Sequence, residues 1–184
     1  MSCVDNGSGI DNLADLLVVY LTHKTESHLK RGRFGRGFKE ALCIAEQALV
    51  ASGHQQLEFL REQGQRVTRQ SSPAQPQPGT RVWMQMPWPA ETSAQLDAYF
   101  QCFLVPEGVL LEVNGLRLTP RPVEHQVPAS LSTEIYDATS QSWKKPSRKT
   151  VIQLVRTRPD DPPTIYEMGI PVAALEWPAS QWLV

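Results

Sequence analysis

The feature that most constrains this chain is a glycine-rich segment that runs directly into a helix-forming sequence. The segment contains Gly32, Gly35 and Gly37. Residues 38–52 (FKEALCIAEQALVAS) are rich in alanine, leucine and glutamate, and Gly53 follows them, so this stretch predicts a helix that ends at a glycine. Backbone N–H groups at a helix N-terminus bind anions, and glycines allow dihedral angles that turn successive N–H groups toward phosphate oxygens. The sequence therefore predicts an anion site at the beginning of this helix.

A second glycine motif, DNGSGI, occupies residues 5–10. A carboxylate such as Asp5, placed just before a turn, can accept a hydrogen bond from an exocyclic amine like that of adenine. Gly7 and Gly9 carry no Cβ, so the backbone can approach a flat base closely. The motif therefore predicts a purine site. The alternative is an ordinary turn, because Asp, Asn, Gly and Ser are the usual turn residues.

The spacing of the glycines separates the segment at 32–37 from other phosphate-binding loops. A P-loop requires Lys and then Ser or Thr after its last glycine, whereas Phe38 and Lys39 follow Gly37. The dinucleotide fingerprint has the order GxGxxG, and the order here is GxxGxG. A kinase glycine loop lies between strands, but this segment opens a predicted helix.

The two motifs, followed by Gly79-Thr80 at the start of a predicted strand, resemble the motifs of the GHKL, or Bergerat-fold, ATPases. This family includes DNA gyrase B subunits, ninety-kilodalton heat-shock chaperones, sensor histidine kinases and MutL mismatch-repair proteins. The resemblance covers about residues 3–88. It implies an α/β (α+β) two-layer sandwich of the Bergerat type over residues 1–90. The β-rich extension over residues 91–184 lies where gyrase and MutL relatives carry a transducer domain.

The resemblance implies that the ligand is ATP and gives each motif a role. Asp5 would bind the adenine amino group, Gly7 and Gly9 would shape the base pocket, and Thr80 would support Asp5 from behind the base. Residues 22–36 would form the ATP lid. The lid and the helix start would hold the phosphates through Lys24, Gly32, Gly35, Gly37, Phe38 and Lys39.

The resemblance implies an ATPase, but the hydrolytic groups of the family lie upstream of the DNGSGI motif. A helix there supplies an Asn that binds Mg²⁺ and, in hydrolysing members, a Glu that activates water. Only four residues precede Asp5 in this sequence. We therefore assign no catalytic residue and no metal ligand, and we expect nucleotide binding without efficient hydrolysis, as in a family member shortened at its amino terminus. The sequence shows no phosphoacceptor helix of the kind that sensor kinases use. We therefore favour a DNA-linked or chaperone-like ATPase over a sensor kinase.

Composition and charge limit the classes of partner and the compartment that we expect for this chain. Eighteen Lys and Arg against nineteen Asp and Glu give a net charge of −1, which excludes a generic polycation that coats nucleic acid. The longest apolar run, 16–21, is far shorter than the roughly 20 residues that cross a bilayer, so we expect no membrane segment. Cys3, Cys43 and Cys102 are widely spaced, which predicts reduced thiols in a cytoplasmic protein.

A second function remains open from the sequence. Residues 143–158 contain six Lys or Arg and no acidic residue. Such a run can contact a nucleic-acid backbone or a protein partner, which would make the chain a non-catalytic interaction module. It can equally be an exposed loop and edge strand protected by charge. The family resemblance is also compatible with a homodimer.

The remaining elements are predicted from periodicity and turn residues. Asn114-Gly115 between apolar alternations is a strong hairpin signal. The other expectations are helices over 12–21 and 93–104, a hairpin formed by 56–62 and 65–70, and strands over 79–87, 148–158 and 164–172.

Overall fold

Strands dominate the part of the chain that the structure, a computed structural model, describes, with 46% of residues in strands and 15% in helices. The described residues are 1–19, 21, 35–137, 139–176 and 181–184. They form two compact units. Unit 1 is Met1–Pro87 with Glu134–Lys145, and unit 2 is Trp88–Thr133 with Pro146–Val184.

The helices and strands follow the chain in a simple order within each unit. Unit 1 contains β1 (Ser2–Asp5), a 3-10 helix (Leu13–Leu17), α1 (Gly37–Ile44), β2 (Gln47–Gly53), β3 (Gln55–Glu62), β4 (Gln65–Ser71), β5 (Gln77–Gln85), β9 (Ile135–Asp137) and β10 (Ser142–Lys144). Unit 2 contains β6 (Glu112–Val113), β7 (Leu116–Arg117), β8 (Val123–Ser132), β11 (Ser147–Arg156), β12 (Thr164–Glu167), β13 (Ile170–Ala174), β14 (Trp182–Leu183) and the helix α2 (Ala90–Gln101).

The core of unit 1 lies on one face of a five-stranded antiparallel sheet with the order β1-β5-β2-β3-β4. Leu13 of the 3-10 helix and Leu42 of α1 are fully buried against this face. Because alternate residues of a strand point to the same face, the apolar residues that β2, β3 and β5 contribute to this cluster are spaced two apart or lie opposite one another. The sheet residues in it are Ala48, Val50, Leu57, Phe59 and Met84.

The helix predicted over 38–52 is wrong beyond Ile44. Ala45 has an extended backbone (φ −59°, ψ 142°), and residues 47–53 form the central strand β2. This strand pairs with β3 on one side and β5 on the other, and it buries Ala48 and Val50. Hydrogen bonds and burial on both sides outweigh the helix propensity of alanine and leucine.

The expected α/β (α+β) two-layer sandwich of the Bergerat type is also wrong, because strands hold about three times as many residues as helices (46% against 15%) and form several small antiparallel sheets. Two of the expected helices shrink. The helix predicted over 12–21 is a 3-10 helix of five residues, and almost half of 38–52 is strand. In unit 2 the described strands form sheets of only two or three strands.

Elements with strong local signals are confirmed. The hairpin predicted from 56–62 and 65–70 is formed by β3 and β4, and Asn114-Gly115 joins β6 to β7. The second helix runs over Ala90–Gln101, three residues earlier than predicted at each end. The strand predicted over 164–172 is instead the hairpin of β12 and β13, which turns at Met168-Gly169.

Unit 2 is organised around the long antiparallel pair of β8 and β11. The short strand β14 pairs with the end of β11, which buries Leu183 and Val155. Two hydrogen bonds also join Val184 to its neighbours on β12, one to the carbonyl oxygen of Thr164 and one from the N–H of Tyr166. The last residues of the chain are therefore integrated into the sheet structure of this unit.

An ion pair fixes the loop after β11. Arg121 contacts Asp161 at 2.5 Å and also donates to the carbonyl oxygen of Arg156. The same carboxylate oxygen of Asp161 accepts a hydrogen bond of 2.9 Å from the N–H of Arg158. Burial acts to raise the pKa of Asp161, but the N–H of Arg158 and the guanidinium of Arg121 outweigh it and hold the pKa below the usual 3.8.

We expect the ion pair to make the stability of unit 2 fall in acid. A carboxyl whose pKa is depressed by folding stabilises the folded state above its unfolded pKa and loses this contribution as the pH falls through the folded pKa. At pH 7 the free energy of unfolding of the unchanged protein should therefore exceed that of the Asp161→Asn variant. The difference between the two proteins should shrink below about pH 4. Urea unfolding of both proteins from pH 7 to pH 2 measures this, and a constant difference would contradict it.

Candidate functional site

The DNGSGI turn begins at Asp5, the last residue of β1, which lies opposite Thr80 of β5. Oδ1 of Asp5 accepts one hydrogen bond from the N–H of Gly7 (2.8 Å) and another from the N–H of Thr80 (3.2 Å). The Asp5 side chain is exposed, and no described residue donates a hydrogen bond to Oδ2. The backbone thus fixes one carboxylate oxygen and leaves the other open to a donor.

A buried hydroxyl joins this turn to two strands. Ser52, near the end of β2, is 2% exposed. Its Oγ accepts a hydrogen bond of 2.8 Å from the N–H of Ile10 and donates one of 2.9 Å to the carbonyl oxygen of Gly79. The Ser52 side chain therefore connects Ile10, at the end of the turn, to Gly79 of β5.

The glycines of this region serve close backbone packing. Gly79 has φ +64°, and a Cβ there would lie 2.1 Å from the carbonyl oxygen of Asp5. Gly9 has φ +82°, and a Cβ there would lie 2.5 Å from Oγ of Ser52. A Cβ on Gly7 would lie 3.1 Å from Oδ1 of Asp5. The turn can lie against β5 only because these positions lack side chains.

The first turn of α1 presents N–H groups without partners among the described residues. Gly35 has φ +61°, and Arg36 at the N-cap position makes no side-chain capping bond. No described residue accepts a hydrogen bond from the N–H of Gly37, Phe38 or Lys39, and a Cβ on Gly37 would meet no described atom within 4 Å. This helix start therefore has the groups that an anion requires.

The side chain of Lys39 is not open to a ligand. It is 7% exposed, and its Nζ donates to the carbonyl oxygens of Val18 (2.5 Å) and Leu21 (2.6 Å). The ammonium therefore holds the chain that follows the 3-10 helix. Any direct contact between Lys39 and a phosphate would therefore come from its backbone N–H.

The turn and the helix start lie on the same side of the sheet. Asp5 is opposite Thr80, and Thr80 is opposite Ser52, so these side chains share one face. Val50, two residues before Ser52, points to that face as well and packs in one buried cluster with Leu42 of α1. Of the other residues predicted for this site, Lys24 and Gly32 lie outside the described residues.

Sequence reasoning missed Ser52 and Gln55, which hold the DNGSGI turn and the 3-10 helix in place. The side chain of Gln55 donates to the carbonyl oxygen of Asp11 (2.7 Å) and accepts from the N–H of Leu13 (3.1 Å). Ser52 was hidden inside the predicted helix. Residues 48–51 (ALVA) are a short continuous apolar run followed by Ser52 and Gly53, a pattern that fits a buried central strand as well as a helix, so periodicity alone gave no clear signal.

Several cations of the basic run 143–158 are paired with acids. Lys144 contacts Asp137, and Lys145 contacts Glu134 at 2.7 Å, which raises the pKa of Lys145. Arg156 makes two hydrogen bonds of 2.8 Å to the carboxylate of Glu124, and these hold the pKa of Glu124 below its usual value. At least three of the six positive charges are thus balanced locally, which reduces the attraction of this run for a polyanion.

The described residues contain no group of three or more His, Cys, Asp or Glu that could hold a metal ion. No helix in the described part of the chain is long and apolar enough to cross a membrane. Comparisons with protein-family models, curated proteins and solved structures find no match to this chain.

Proposed function

We propose that this chain binds ATP, with the adenine amino group donating a hydrogen bond to the carboxylate of Asp5. One observation carries the proposal: the N–H groups of Gly7 and Thr80 fix Oδ1, while Oδ2 is open on an exposed side chain. A carboxylate only accepts hydrogen bonds, so it favours a base edge that presents an amine. The GHKL resemblance gives Asp5 and Thr80 the same roles.

The phosphates would bind at the start of α1. The N–H groups of Gly37, Phe38 and Lys39 support this, because none of them has an acceptor among the described residues. The positive end of the helix dipole favours an anion in the same place. Because the DNGSGI turn and α1 lie on one side of the sheet, a single nucleotide is a reasonable ligand for both.

The proposal is limited to nucleotide binding. No described residue is assigned as the base for an attacking water, so we derive no hydrolytic step. The three cysteines are free and exposed, which is compatible with a reducing compartment such as the cytoplasm. The pairing of Lys144, Lys145 and Arg156 with acids gives the nucleic-acid alternative no structural support.

The sharpest test is Asp5→Asn. The asparagine oxygen can still accept from the N–H groups of Gly7 and Thr80, so the turn should persist, but its NH₂ group would face the adenine amine. We expect a fluorescent ATP analogue to bind the unchanged protein saturably and to bind Asp5→Asn about 10- to 100-fold more weakly, as for the loss of a hydrogen bond to a charged group. Fluorescence titration measures both dissociation constants.

The matched control is Asp11→Ala, which removes another exposed carboxylate next to the same turn. Its affinity should match that of the unchanged protein. Equal binding by Asp5→Asn and the unchanged protein would refute the adenine contact. Salt-sensitive binding of DNA with no binding of the ATP analogue would favour the interaction module instead.

A further inference from the structure

We propose that Ser52 is a positioning residue that orients Asp5 and thereby sets the preference for a purine that carries an amine. This inference rests on the proposed ATP binding. Ser52 is too deeply buried to contact a nucleotide directly, since it is 2% exposed. It reaches Asp5 through a single peptide group, the one that joins Gly79 to Thr80.

The peptide group between Gly79 and Thr80 links the hydroxyl of Ser52 to the carboxylate of Asp5. The hydroxyl of Ser52 donates to the carbonyl oxygen of Gly79 at 2.9 Å, and the N–H of Thr80 donates to Oδ1 of Asp5 at 3.2 Å. These two groups belong to one planar peptide, in which the C=O and N–H point in opposite directions. Fixing the oxygen therefore fixes the direction of the N–H, and each hydrogen bond in such a chain strengthens the next.

The same hydroxyl also fixes the other end of the turn. Its oxygen accepts a hydrogen bond of 2.8 Å from the N–H of Ile10, just after Gly9. Ser52 thus holds the residues after the turn, while the Thr80 N–H that it orients holds the carboxylate before the turn. Replacing Ser52 by alanine would leave the N–H of Ile10 and the carbonyl oxygen of Gly79 without these partners. Because an unpaired buried polar group is costly, we expect both peptide groups to reorient toward other partners.

The consequence concerns which oxygen of Asp5 faces the ligand. With Oδ1 held by two N–H groups, Oδ2 is presented alone and in one direction. ATP offers an amine at that position of the base, whereas inosine triphosphate offers a carbonyl oxygen, which a carboxylate repels. A carboxylate that rotates freely would discriminate less, because either oxygen could turn away from the carbonyl.

The test uses isothermal titration calorimetry to compare the binding of ATP and of inosine triphosphate to the purified protein. We expect the unchanged protein to prefer ATP. Ser52→Ala should weaken ATP binding about tenfold and leave inosine triphosphate nearly unchanged, so that the ratio of the two dissociation constants falls about tenfold. Ser52→Thr, which retains a hydroxyl, should restore the preference. The control Ser71→Ala removes an exposed hydroxyl from the same sheet and should not alter the ratio.

The outcomes separate the inference from the proposed function. An equal loss for both nucleotides in Ser52→Ala, or an unchanged ratio, would show that Ser52 does not position Asp5, even though ATP binds. Absence of ATP binding by the unchanged protein would overturn the proposed function and the inference together. If Ser52→Ala does not fold, Ser52→Cys carries a weak S–H donor and should give an intermediate ratio. A cysteine variant with the full preference would then refute the inference.

Discussion

Gly79→Ala is expected to cost unit 1 about 3–5 kcal/mol of folding free energy. Its Cβ would lie 2.1 Å from the carbonyl oxygen and 2.8 Å from the carbonyl carbon of Asp5, and 2.9 Å from Cα of Asn6. These are backbone atoms, so no side chain can rotate away to make room. Relief requires that β1 move away from β5, which would break the pairs from Ser2 to Asp5. Hydrogen exchange of the buried β2 amides, measured as a function of urea, gives the change in stability.

Gly53→Ala is the matched control for this substitution. Gly53 also has a positive φ (+55°), but a Cβ there would meet no atom within 4 Å. Only the backbone strain remains, which costs about 1–2 kcal/mol. The difference between the two variants therefore isolates the contact with Asp5. Equal destabilisation by both would mean that β1 does not lie against Gly79 as described.

Leu42→Ala is expected to have the second-largest effect, a loss of about 2–5 kcal/mol in the stability of unit 1. Leu42 is 0% exposed and packs in the cluster that joins α1 to the sheet. Removing its side chain would leave a cavity between the helix and β2. The same exchange experiment, or urea unfolding followed by circular dichroism, measures the loss.

Ile44→Ala, two residues later on the same helix, provides the comparison. Ile44 is 68% exposed, so its removal should change the stability by less than about 0.5 kcal/mol. A helix that continued to residue 52 would bury a different set of residues. Comparable losses for Leu42→Ala and Ile44→Ala would therefore contradict the burial of Leu42 and the exposure of Ile44.

The sequence predicted those elements whose signals are local. Asn114-Gly115 adopts the positive φ values that a tight hairpin needs, and both residues appear there with φ +51° and +78°. The hairpin around Gly64 was equally clear, because glycine tolerates the φ of +80° found at this turn. A few neighbouring residues decide such turns, so one sequence is enough to find them.

The fold class failed where distant residues decide the structure. QALVASG (47–53) has a composition that suits a helix, yet it forms the centre of a sheet because β3 and β5 pair with it. Strand pairing depends on partners that are not adjacent in the sequence, and helix propensity differs by less than about 1 kcal/mol among ordinary residues. Local composition therefore could not reveal that strands would prevail.

Some residues of the candidate site could be predicted from the sequence, and others could not. The GHKL resemblance singled out Asp5 and Thr80 although 75 residues separate them, and their hydrogen bond joins them in the structure. Ser52 belongs to no motif. Its contact with the turn exists only because residues 47–53 form a strand that pairs with β5. The place where the phosphates would bind follows from the three glycines, but the use of the Lys39 ammonium within the protein did not follow from the sequence.

That buried ammonium has an electrostatic consequence. Lys39 bonds only to carbonyl oxygens, and no described carboxylate neutralises its charge. Lys39 lies in the first turn of α1 and is 7% exposed, so mobile ions screen its charge less than that of a surface lysine. A triphosphate there would gain a counter-charge that persists at high ionic strength, unlike one provided by lysines on the surface.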